Sequence, residues 1–406
     1  METVLVVGFN VRPMARSAKK AGYRVLAVDF WGDLDLSEWA DKHTAILHQQ
    51  PNERPDRPKG PTADSLVIGT QHLLEKHGPV DFILAGGGFD DQPKAWENLS
   101  KLGRLVGNPP DKLCRARDRK LTQKIANISG ATIPQGYEAC EANQFRWATN
   151  QLDLPIIVKP KFGSGGFQSR ILRTEQDLDR YSAYHLFTAD NPVLIQELIQ
   201  GTDASVSLLC SGDAAIAVSI NEQLIGLAEL GKGRTKAYCG NIVPLKAPKI
   251  QIKKLVRISE LMGTHLELLG SNGIDFVIDH QGTVHFMEIN PRFQATIEAL
   301  ELVSNVNVVT YHIEACKGNL PAKRPVLHGY CTRLIVYAKS TCKIPNLSNF
   351  PGVVDIPIPG SVAERGDPMC TVNHIAESRE KALAGAWDIA NTIYQHLIPI
   401  PQHNID

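Results

Sequence analysis

Several features that mark other protein classes are missing from this chain of 406 residues. Its eight cysteines are scattered and no two form a CxxC pair, which argues against a zinc knuckle and favours reduced thiols in a cytosolic protein. Lysine plus arginine and aspartate plus glutamate both number 43, so the basic excess of a general nucleic-acid binder is absent. These absences indicate a small-molecule partner.

Targeting and membrane signals are absent from the pattern as well. The amino terminus has no basic segment followed by an apolar core, as a signal peptide would have. No stretch approaches the ~18 to 20 consecutive apolar residues that span a bilayer. A hydrophobic fraction of 43% with 21% charged residues is typical of a globular protein. We therefore predict a cytoplasmic protein that binds neither membrane nor nucleic acid.

The amino-terminal pattern alternates strands and helices. The apolar run Thr3 to Val7 predicts a buried strand, the helix formers from Pro13 to Ala21 predict a helix, and Arg24 to Asp29 predicts a second strand. A further helix (Ala63 to Lys76) and strand (Val80 to Ala85) follow. Such βαβ repetition predicts a small doubly wound domain with a parallel sheet.

A strand followed by Gly8 suggests dinucleotide binding, but that motif needs three glycines so that the backbone can approach a pyrophosphate. The segment Gly8 to Pro13 supplies one glycine. Asp29 could contact a ribose or simply cap the next element. The pattern is better explained as a structural strand end.

The remainder of the chain is also mixed in pattern. We predict a helix from Leu121 to Ser129, a strand from Pro155 to Lys159, and a long helix from Ile250 to Leu269. The tail predicts a strand from Thr332 to Tyr337 and a helix from Ser378 to His396.

Two lysines and a glycine-rich turn are candidates for phosphate binding. Lys120 lies at a helix start, where a lysine considered by itself is usually solvated surface. Lys159 ends an apolar strand, where an unpaired ammonium is costly unless an anion neutralises it. Gly163-Ser164-Gly165-Gly166 could fold its backbone over phosphate oxygens, although a strand end with a flexible turn remains an alternative.

The segment Val193 to Asp203 reads as an apolar strand that leads into alternating polar residues. Its backbone edge could line an adenine slot, and Asp203 would then lie where a ribose hydroxyl could donate to it. A plain strand and turn explains the pattern equally well.

The strongest pattern is a hairpin formed by Gly273 to Asp279 and Thr283 to Arg292. Asp275 and Glu288 both lie among apolar neighbours, and Glu288 and Asn290 share one strand face because the side-chain period of a strand is two. Three converging oxygen ligands beside phosphates predict a magnesium site. A salt-bridged structural hairpin is the alternative.

In this order, the four segments Asp118 to Thr122, Leu154 to Phe167, Val193 to Asp203 and Gly273 to Arg292 resemble the ATP-grasp superfamily. The resemblance implies an α/β fold with α+β lobes in four parts. These are an amino-terminal doubly wound domain (1–112), a small lobe (113–195), a large lobe with the magnesium site (196–325) and a β-rich carboxyl-terminal extension (326–406).

The resemblance also implies a role for each matching residue. Lys120, Lys159 and Lys161 would bind ATP phosphates under a lid formed by Gly163, Ser164, Gly165 and Gly166. The adenine hinge would be Gln196, Glu197, Leu198 and Ile199, with Asp203 on the ribose. Asp275, Glu288 and Asn290 would hold one or two Mg²⁺ ions (or Mn²⁺). Arg292 would face the reacting acid and act with Lys159 in catalysis. Arg234 is either a further phosphate contact or part of a surface loop.

The run from Glu288 to Arg292 looks particularly like biotin carboxylase and carbamoyl-phosphate synthetase relatives. The whole chain looks most like a group of uncharacterised predicted ATP-dependent carboligases of archaea and some bacteria. Two departures from the biotin carboxylase pattern are a lid with fewer glycines and the absence of a biotinyl domain or Met-Lys biotin site.

The resemblance implies a ligase that activates a carboxylate as an acyl phosphate. Three hypotheses follow: a carboxylate–amine ligase, which we favour; a bicarbonate-using carboxylase or carbamoyl-phosphate-type enzyme; and a non-catalytic nucleotide sensor. The partners expected are a small carboxylate, an amine and a second copy of the chain in a homodimer.

Overall fold

The computed structural model describes residues 1–56, 62–163, 165–166, 168–230 and 235–400. The amino-terminal part alternates strands and helices as predicted. Its elements are β1 (Thr3–Gly8), α1 (Arg12–Lys20), β2 (Arg24–Asp29), a 3₁₀ turn (Leu34–Glu38), β3 (Lys42–Ala45), α2 (Thr62–His77), β4 (Phe82–Ala85), α3 (Pro93–Leu102) and α4 (Pro110–Arg117).

The four strands form a parallel sheet in the order β3-β2-β1-β4. Both of its faces are covered: Leu5 and Val7 pack with α2 and α3, whereas Val4 and Val6 pack with α1. Because successive side chains of a strand point to opposite faces, a strand buried on both sides reads as the unbroken apolar run seen in the sequence. The prediction of a doubly wound domain is confirmed.

A smaller antiparallel sheet follows, in the order β5-β8-β6-β7. Asp118 caps the first helix of this region, since its side chain accepts from the Leu121 amide, and Gly130 ends that helix in the left-handed conformation. The elements are α5 (Arg119–Ser129), β5 (Gly136–Ala139), α6 (Ala142–Thr149), β6 (Ile156–Pro160), β7 (Arg170–Leu172), α7 (Glu175–Tyr184) and β8 (Val193–Glu197).

The next region contributes most of an eight-stranded antiparallel sheet, and α8 packs on one face of it through a core that includes Leu255, Ile258 and Met262. Its elements are β9 (Gly201–Ser211), β10 (Ala215–Ile225), a 3₁₀ turn (Ala228–Leu230), β11 (Tyr238–Val243), α8 (Lys249–His265), β12 (Leu269–Asp279), β13 (Val284–Asn290), α9 (Ile297–Leu302) and α10 (Val308–Cys316).

The carboxyl-terminal region extends the same sheet, whose full order is β13-β12-β9-β10-β11-β14-β18-β16. Because strands from both sides of residue 325 share this sheet, the four-part division of the chain stays a prediction. The last elements are β14 (Tyr330–Tyr337), β15 (Cys342–Lys343), β16 (Val353–Val354), β17 (Val362–Ala363), β18 (Pro368–Ala376), α11 (Arg379–His396) and β19 (Ile398–Pro399), with β17, β15 and β19 forming a small sheet of their own.

The mixed α/β fold class is confirmed, with one correction to the elements. The helix predicted from Ile250 to Leu269 ends at His265, and Leu269 already belongs to β12. The chain leaves the helix through Glu267, which has a positive φ of 54°. Glycine usually supplies this conformation, so the sequence carried no stop signal. All eight cysteines are free thiols. Among the described residues, no helix has the length and apolar character needed to cross a bilayer.

Candidate functional site

The predicted hairpin is present, and it brings the three candidate metal ligands together. β12 and β13 pair antiparallel, with Asp275 opposite Glu288 and Gly273 opposite Asn290. A bulge follows Asp275 in the register. The Nδ2 atom of Asn290 donates to Asp275 Oδ2 at 3.0 Å. The three side chains therefore share one face of the sheet.

The electrostatics of this face favour a cation. Burial raises the pKa of Asp275 to about 8, and repulsion from Glu288 adds to the effect, while hydrogen bonds from Asn290 and Gln223 oppose it. A divalent ion between the two carboxylates would remove that repulsion. The donor set suits Mg²⁺, which takes hard oxygen ligands and keeps phosphate oxygens and water in its shell. Within the described residues, no group of three His, Cys, Asp or Glu side chains is arranged to hold a metal, and the candidate ligands here are two carboxylates and one amide.

Lys159 reaches the same cleft from the other lobe. It lies near the end of β6, in the small sheet, and its side chain is half-buried. Burial lowers the pKa of Lys159, and the negative charge of Glu288 opposes that shift. Asp275 acts in the same direction as Glu288. The charges of the acidic hairpin therefore act on the ammonium group of Lys159, and a phosphate could bind between them.

Arg292 lies two residues beyond Asn290 and is fixed by the amino-terminal domain. Its Nε donates to Asp90 Oδ1 at 2.7 Å, and its two terminal nitrogens donate to the Phe293 carbonyl at 3.1 Å and Asn290 Oδ1 at 3.3 Å. Burial alone would raise the pKa of Asp90, but Arg292 and Arg117 lower it. Since a guanidinium has five N–H donors, this arrangement leaves donors of Arg292 for an anionic substrate.

The glycine turn contacts two other parts of the protein. The Gly163 amide donates to Asp91 Oδ2 at 2.7 Å, and the Gly165 carbonyl accepts from the Tyr238 amide at 3.0 Å. Gly166 has a φ of 66°, and a Cβ added there would lie 2.0 Å from the Lys236 carbonyl oxygen, so only glycine fits at this contact. Ser164 lies outside the described residues.

Lys161 forms an ion pair within the small sheet region. Its ammonium nitrogen contacts Glu138 Oε2 at 2.9 Å. Lys120 is exposed in the first turn of α5. Its neighbour Arg119 is half-buried, lies 3.9 Å from Glu138, and adds to the positive charge near Lys159. The phosphate-binding roles of both lysines stay predictions, as does that of Arg234, which lies outside the described residues.

The predicted adenine hinge joins the four-stranded antiparallel sheet to the eight-stranded sheet. Gln196 and Glu197 end β8, and the hinge continues through Leu198 and Ile199 into β9. The Glu197 amide donates to the Gln135 carbonyl at 3.0 Å, and the Glu197 side chain accepts from the Gln135 amide at 2.8 Å. Leu198 forms no backbone hydrogen bond with the described residues, so its edge is available to a ligand.

Asp203 does not have a free carboxylate. Lys236 Nζ lies 3.1 Å from both of its oxygens. Burial raises the pKa of Asp203 and Lys236 opposes the shift. A ribose contact at Asp203 would have to share or replace this ion pair, and the role stays a prediction.

Sequence reasoning missed the loop that follows β4. Asp90 and Asp91 follow three glycines and Phe89, and they bind Arg292 and Arg117. A signal was available, since ligands of open parallel sheets bind beyond the carboxyl ends of the strands. Two carboxylates at such a strand end are candidates for a site.

Comparisons with known proteins show which family and fold the chain is similar to. A family model described as an ATP-grasp domain matches residues 116–296. An uncharacterised protein of Methanocaldococcus jannaschii is 28% identical over 398 residues, which is 96% of this chain and 91% of that protein. The carbamoyl phosphate synthase large chain of Clostridium acetobutylicum is 25% identical over 271 residues, but the match covers 63% of this chain and only 24% of that protein.

Solved structures show the same fold over nearly the whole chain. An N5-carboxyaminoimidazole ribonucleotide synthetase in complex with ADP has a TM-score of 0.70 at 18% identity and covers 97% of both chains. The biotin carboxylase of Campylobacter jejuni, in complex with a β-γ-ATP compound, has a TM-score of 0.71 at 16% identity, covering 98% of this chain and 91% of that one. The biotin carboxylase domain of Hydrogenobacter thermophilus 2-oxoglutarate carboxylase, bound to MgADP and bicarbonate, has the same score and identity, covering 98% and 90%.

Proposed function

We propose that the chain is an ATP-dependent carboxylate–amine ligase of the ATP-grasp superfamily, because an ATP-grasp domain model matches residues 116–296. The reaction proceeds through an acyl phosphate and releases ADP and phosphate. The observation that carries the proposal is the convergence of Asp275, Glu288 and Asn290 with Lys159 and Arg292 in one cleft.

In the first step, a carboxylate oxygen of the acid attacks the γ-phosphorus of ATP, the bond to the β-phosphate oxygen breaks, and ADP leaves. Lys159 neutralises phosphate charge, and the remaining N–H donors of Arg292 orient the acid. Mg²⁺ held by Asp275, Glu288 and Asn290 would neutralise the phosphate oxygens, which is the main requirement of phosphoryl transfer.

In the second step, the amine nitrogen attacks the acyl carbon, the C–O bond to phosphate breaks, and the amine loses a proton as phosphate leaves. An acyl phosphate hydrolyses readily, so water has to be excluded. In this proposal, the turn that contains Gly163, Gly165 and Gly166 would cover the cleft. The open backbone edge at Leu198 would receive the adenine.

A second candidate is a bicarbonate-using carboxylase or a carbamoyl-phosphate-type enzyme. It is favoured by the likeness to a carbamoyl phosphate synthase and to carboxylase domains, one of which is bound to bicarbonate. Arg292 could hold bicarbonate as well as a larger carboxylate, because the two anions share the same planar oxygen pair.

The test is to measure ADP, phosphate and ATP consumption by the full chain with Mg²⁺ and a panel of acids and amines. Hydroxylamine is included to trap an acyl phosphate as a hydroxamate. Glu288→Gln removes one candidate ligand, and Glu175→Gln, an exposed residue in the first turn of α7, is the matched control.

Amine-dependent ADP and phosphate, lost in Glu288→Gln and kept in Glu175→Gln, support the ligase. Turnover that requires bicarbonate and incorporates its labelled carbon supports the second candidate. Nucleotide binding without turnover on any acid or amine contradicts both and leaves a nucleotide sensor.

A further inference from the structure

The Asp91 carboxylate occupies an unusual position in the cleft. It pairs side-on with Arg117, with Nε to Oδ1 at 2.8 Å and Nη2 to Oδ2 at 2.9 Å. Its Oδ2 atom also accepts from the Gly163 amide at 2.7 Å. One carboxylate of the amino-terminal domain thus joins the end of α4 to the glycine turn.

The two donors that Asp91 engages are the kind that binds phosphate. A guanidinium presents parallel N–H groups that match phosphate or carboxylate oxygens. Backbone amides at a glycine turn offer further donors to an anion. Asp91 therefore presents two oxygens to the donors that a phosphate group would use.

Arg117 lies beside the candidate metal ligands. Its Nη1 donates to the Ile289 carbonyl at 3.4 Å, between Glu288 and Asn290 in β13. Burial alone would lower the pKa of Arg117, but the charges of Asp91 and Glu288 raise it. Its positive charge also contributes to the lowered pKa of Lys159. Arg117 thus contacts the acidic hairpin, and its charge acts on the lysine proposed to bind phosphate.

We propose that Arg117 and the Gly163 amide form a phosphate-binding site, and that Asp91 fills this site until a nucleotide phosphate replaces it. The inference rests on the proposed function, because the incoming anion is a phosphate of bound ATP. Arg117 is then a nucleotide ligand. Asp91 is a competing internal anion that holds the glycine turn to the amino-terminal domain before ATP binds.

This exchange predicts the sign of a mutational effect. Asp91→Asn keeps the shape of the side chain but removes the charge that competes with phosphate, so nucleotide should bind more tightly. A purely structural clamp predicts the opposite, because the loss of a charged hydrogen-bond acceptor would loosen Arg117 and the turn.

The experiment measures the dissociation constant of magnesium adenylyl imidodiphosphate by calorimetry. We expect Asp91→Asn to lower it about tenfold and Arg117→Gln to raise it about tenfold, the usual effect of one charge-assisted hydrogen bond. When Arg117 is already replaced by Gln, Asp91→Asn should increase the affinity for the nucleotide less than about twofold, because the guanidinium for which Asp91 and phosphate compete is absent.

The control is Asp41→Asn. Asp41 also carries an ion pair, to Lys19, and accepts from the Val25 amide near the start of β2, which is the end of the parallel sheet away from Asp91. The Asp41→Asn variant should bind the nucleotide with the same dissociation constant as the unaltered protein. Thermal unfolding of each variant checks that it is folded.

Weaker or unchanged nucleotide binding by folded Asp91→Asn overturns the inference. An equal increase in affinity on Asp91→Asn substitution with and without Arg117 also overturns it. These outcomes leave the proposed function intact, since the unaltered protein still binds the nucleotide. If the unaltered protein does not bind the nucleotide, the proposed function itself fails and this inference fails with it.

Discussion

Replacing Glu298 by glutamine tests how the amino-terminal domain is fixed to the large sheet. Glu298 lies in α9, six residues beyond Arg292, and is 3% exposed. Its Oε1 atom accepts from Arg12 at 2.9 Å, and its Oε2 atom accepts from Arg333 and Asn373 at 3.0 Å each. One carboxylate therefore connects α1 with β14 and β18.

The magnitude follows from the charge environment. Burial alone would raise the pKa of Glu298, but Arg12 and Arg333 lower it from its ordinary 4.5 to about 2. A shift of that size corresponds to about 3 kcal/mol of stability, since each pH unit is worth ~1.4 kcal/mol. Removing one partner of a buried ion pair lowers the free energy of unfolding by a similar ~3 to 5 kcal/mol. The glutamine NH₂ group would also face guanidinium donors.

The pH dependence has a definite sign. A carboxylate with a depressed folded-state pKa stabilises the protein above its unfolded pKa and loses that contribution as the pH falls through the folded value. The stability difference between the unaltered protein and Glu298→Gln should therefore be full above about pH 5 and shrink as the pH falls from 4.5 towards 2.

Urea unfolding at pH 7 and pH 3 measures this difference through the midpoint and slope of the transition. Glu314→Gln is the control, because Glu314 forms an exposed pair with Lys317 and such pairs contribute about 0 to 1 kcal/mol. The reasoning would be refuted if Glu298→Gln lowered the free energy of unfolding at pH 7 no more than the control does. A difference that stays constant down to pH 3 would also refute it.

Four further outcomes are expected. Glu288→Gln should lower ATP turnover at least ~100-fold and weaken the Mg²⁺ dependence of the rate, measured by magnesium titration, because a hard oxygen ligand is lost. Chelation by EDTA should abolish turnover, and added Mg²⁺ should restore it. Arg292→Gln should raise the KM for the acid about tenfold with little change in that for ATP, measured by initial rates. Leu198→Pro removes a backbone donor and should weaken ATP binding about tenfold by calorimetry, whereas Leu198→Ala should not.

Much of the fold could be predicted from local pattern. The strands of the parallel sheet could be predicted because a strand covered on both faces is an unbroken apolar run. The hairpin at Asp275 and Glu288 was readable because alternation fixes which side chains share a face. The end of α8 was not, since Leu266 and Leu268 are fully buried and continue the apolar pattern past the point where the helix stops.

The roles of individual site residues remain predictions, but the structure supports some of them more than others. Lys159, Arg292 and the hairpin ligands converge, whereas Lys161 and Asp203 are paired with Glu138 and Lys236. The sequence places Lys161 two residues from Lys159 and therefore cannot separate their surroundings. Only packing shows that Lys161 pairs with Glu138 and that the charges of the acidic hairpin act on Lys159.

The sequence by itself determined the elements and the spacing of the hairpin that carries the candidate metal ligands, because these depend on residues close together in the chain. The tertiary structure decided the partners of the site. Asp90 meets Arg292 across 202 residues, and Asp91 meets Gly163 across 72. No local pattern encodes such contacts, since they arise only when the parallel sheet, the glycine turn and the hairpin pack around one cleft.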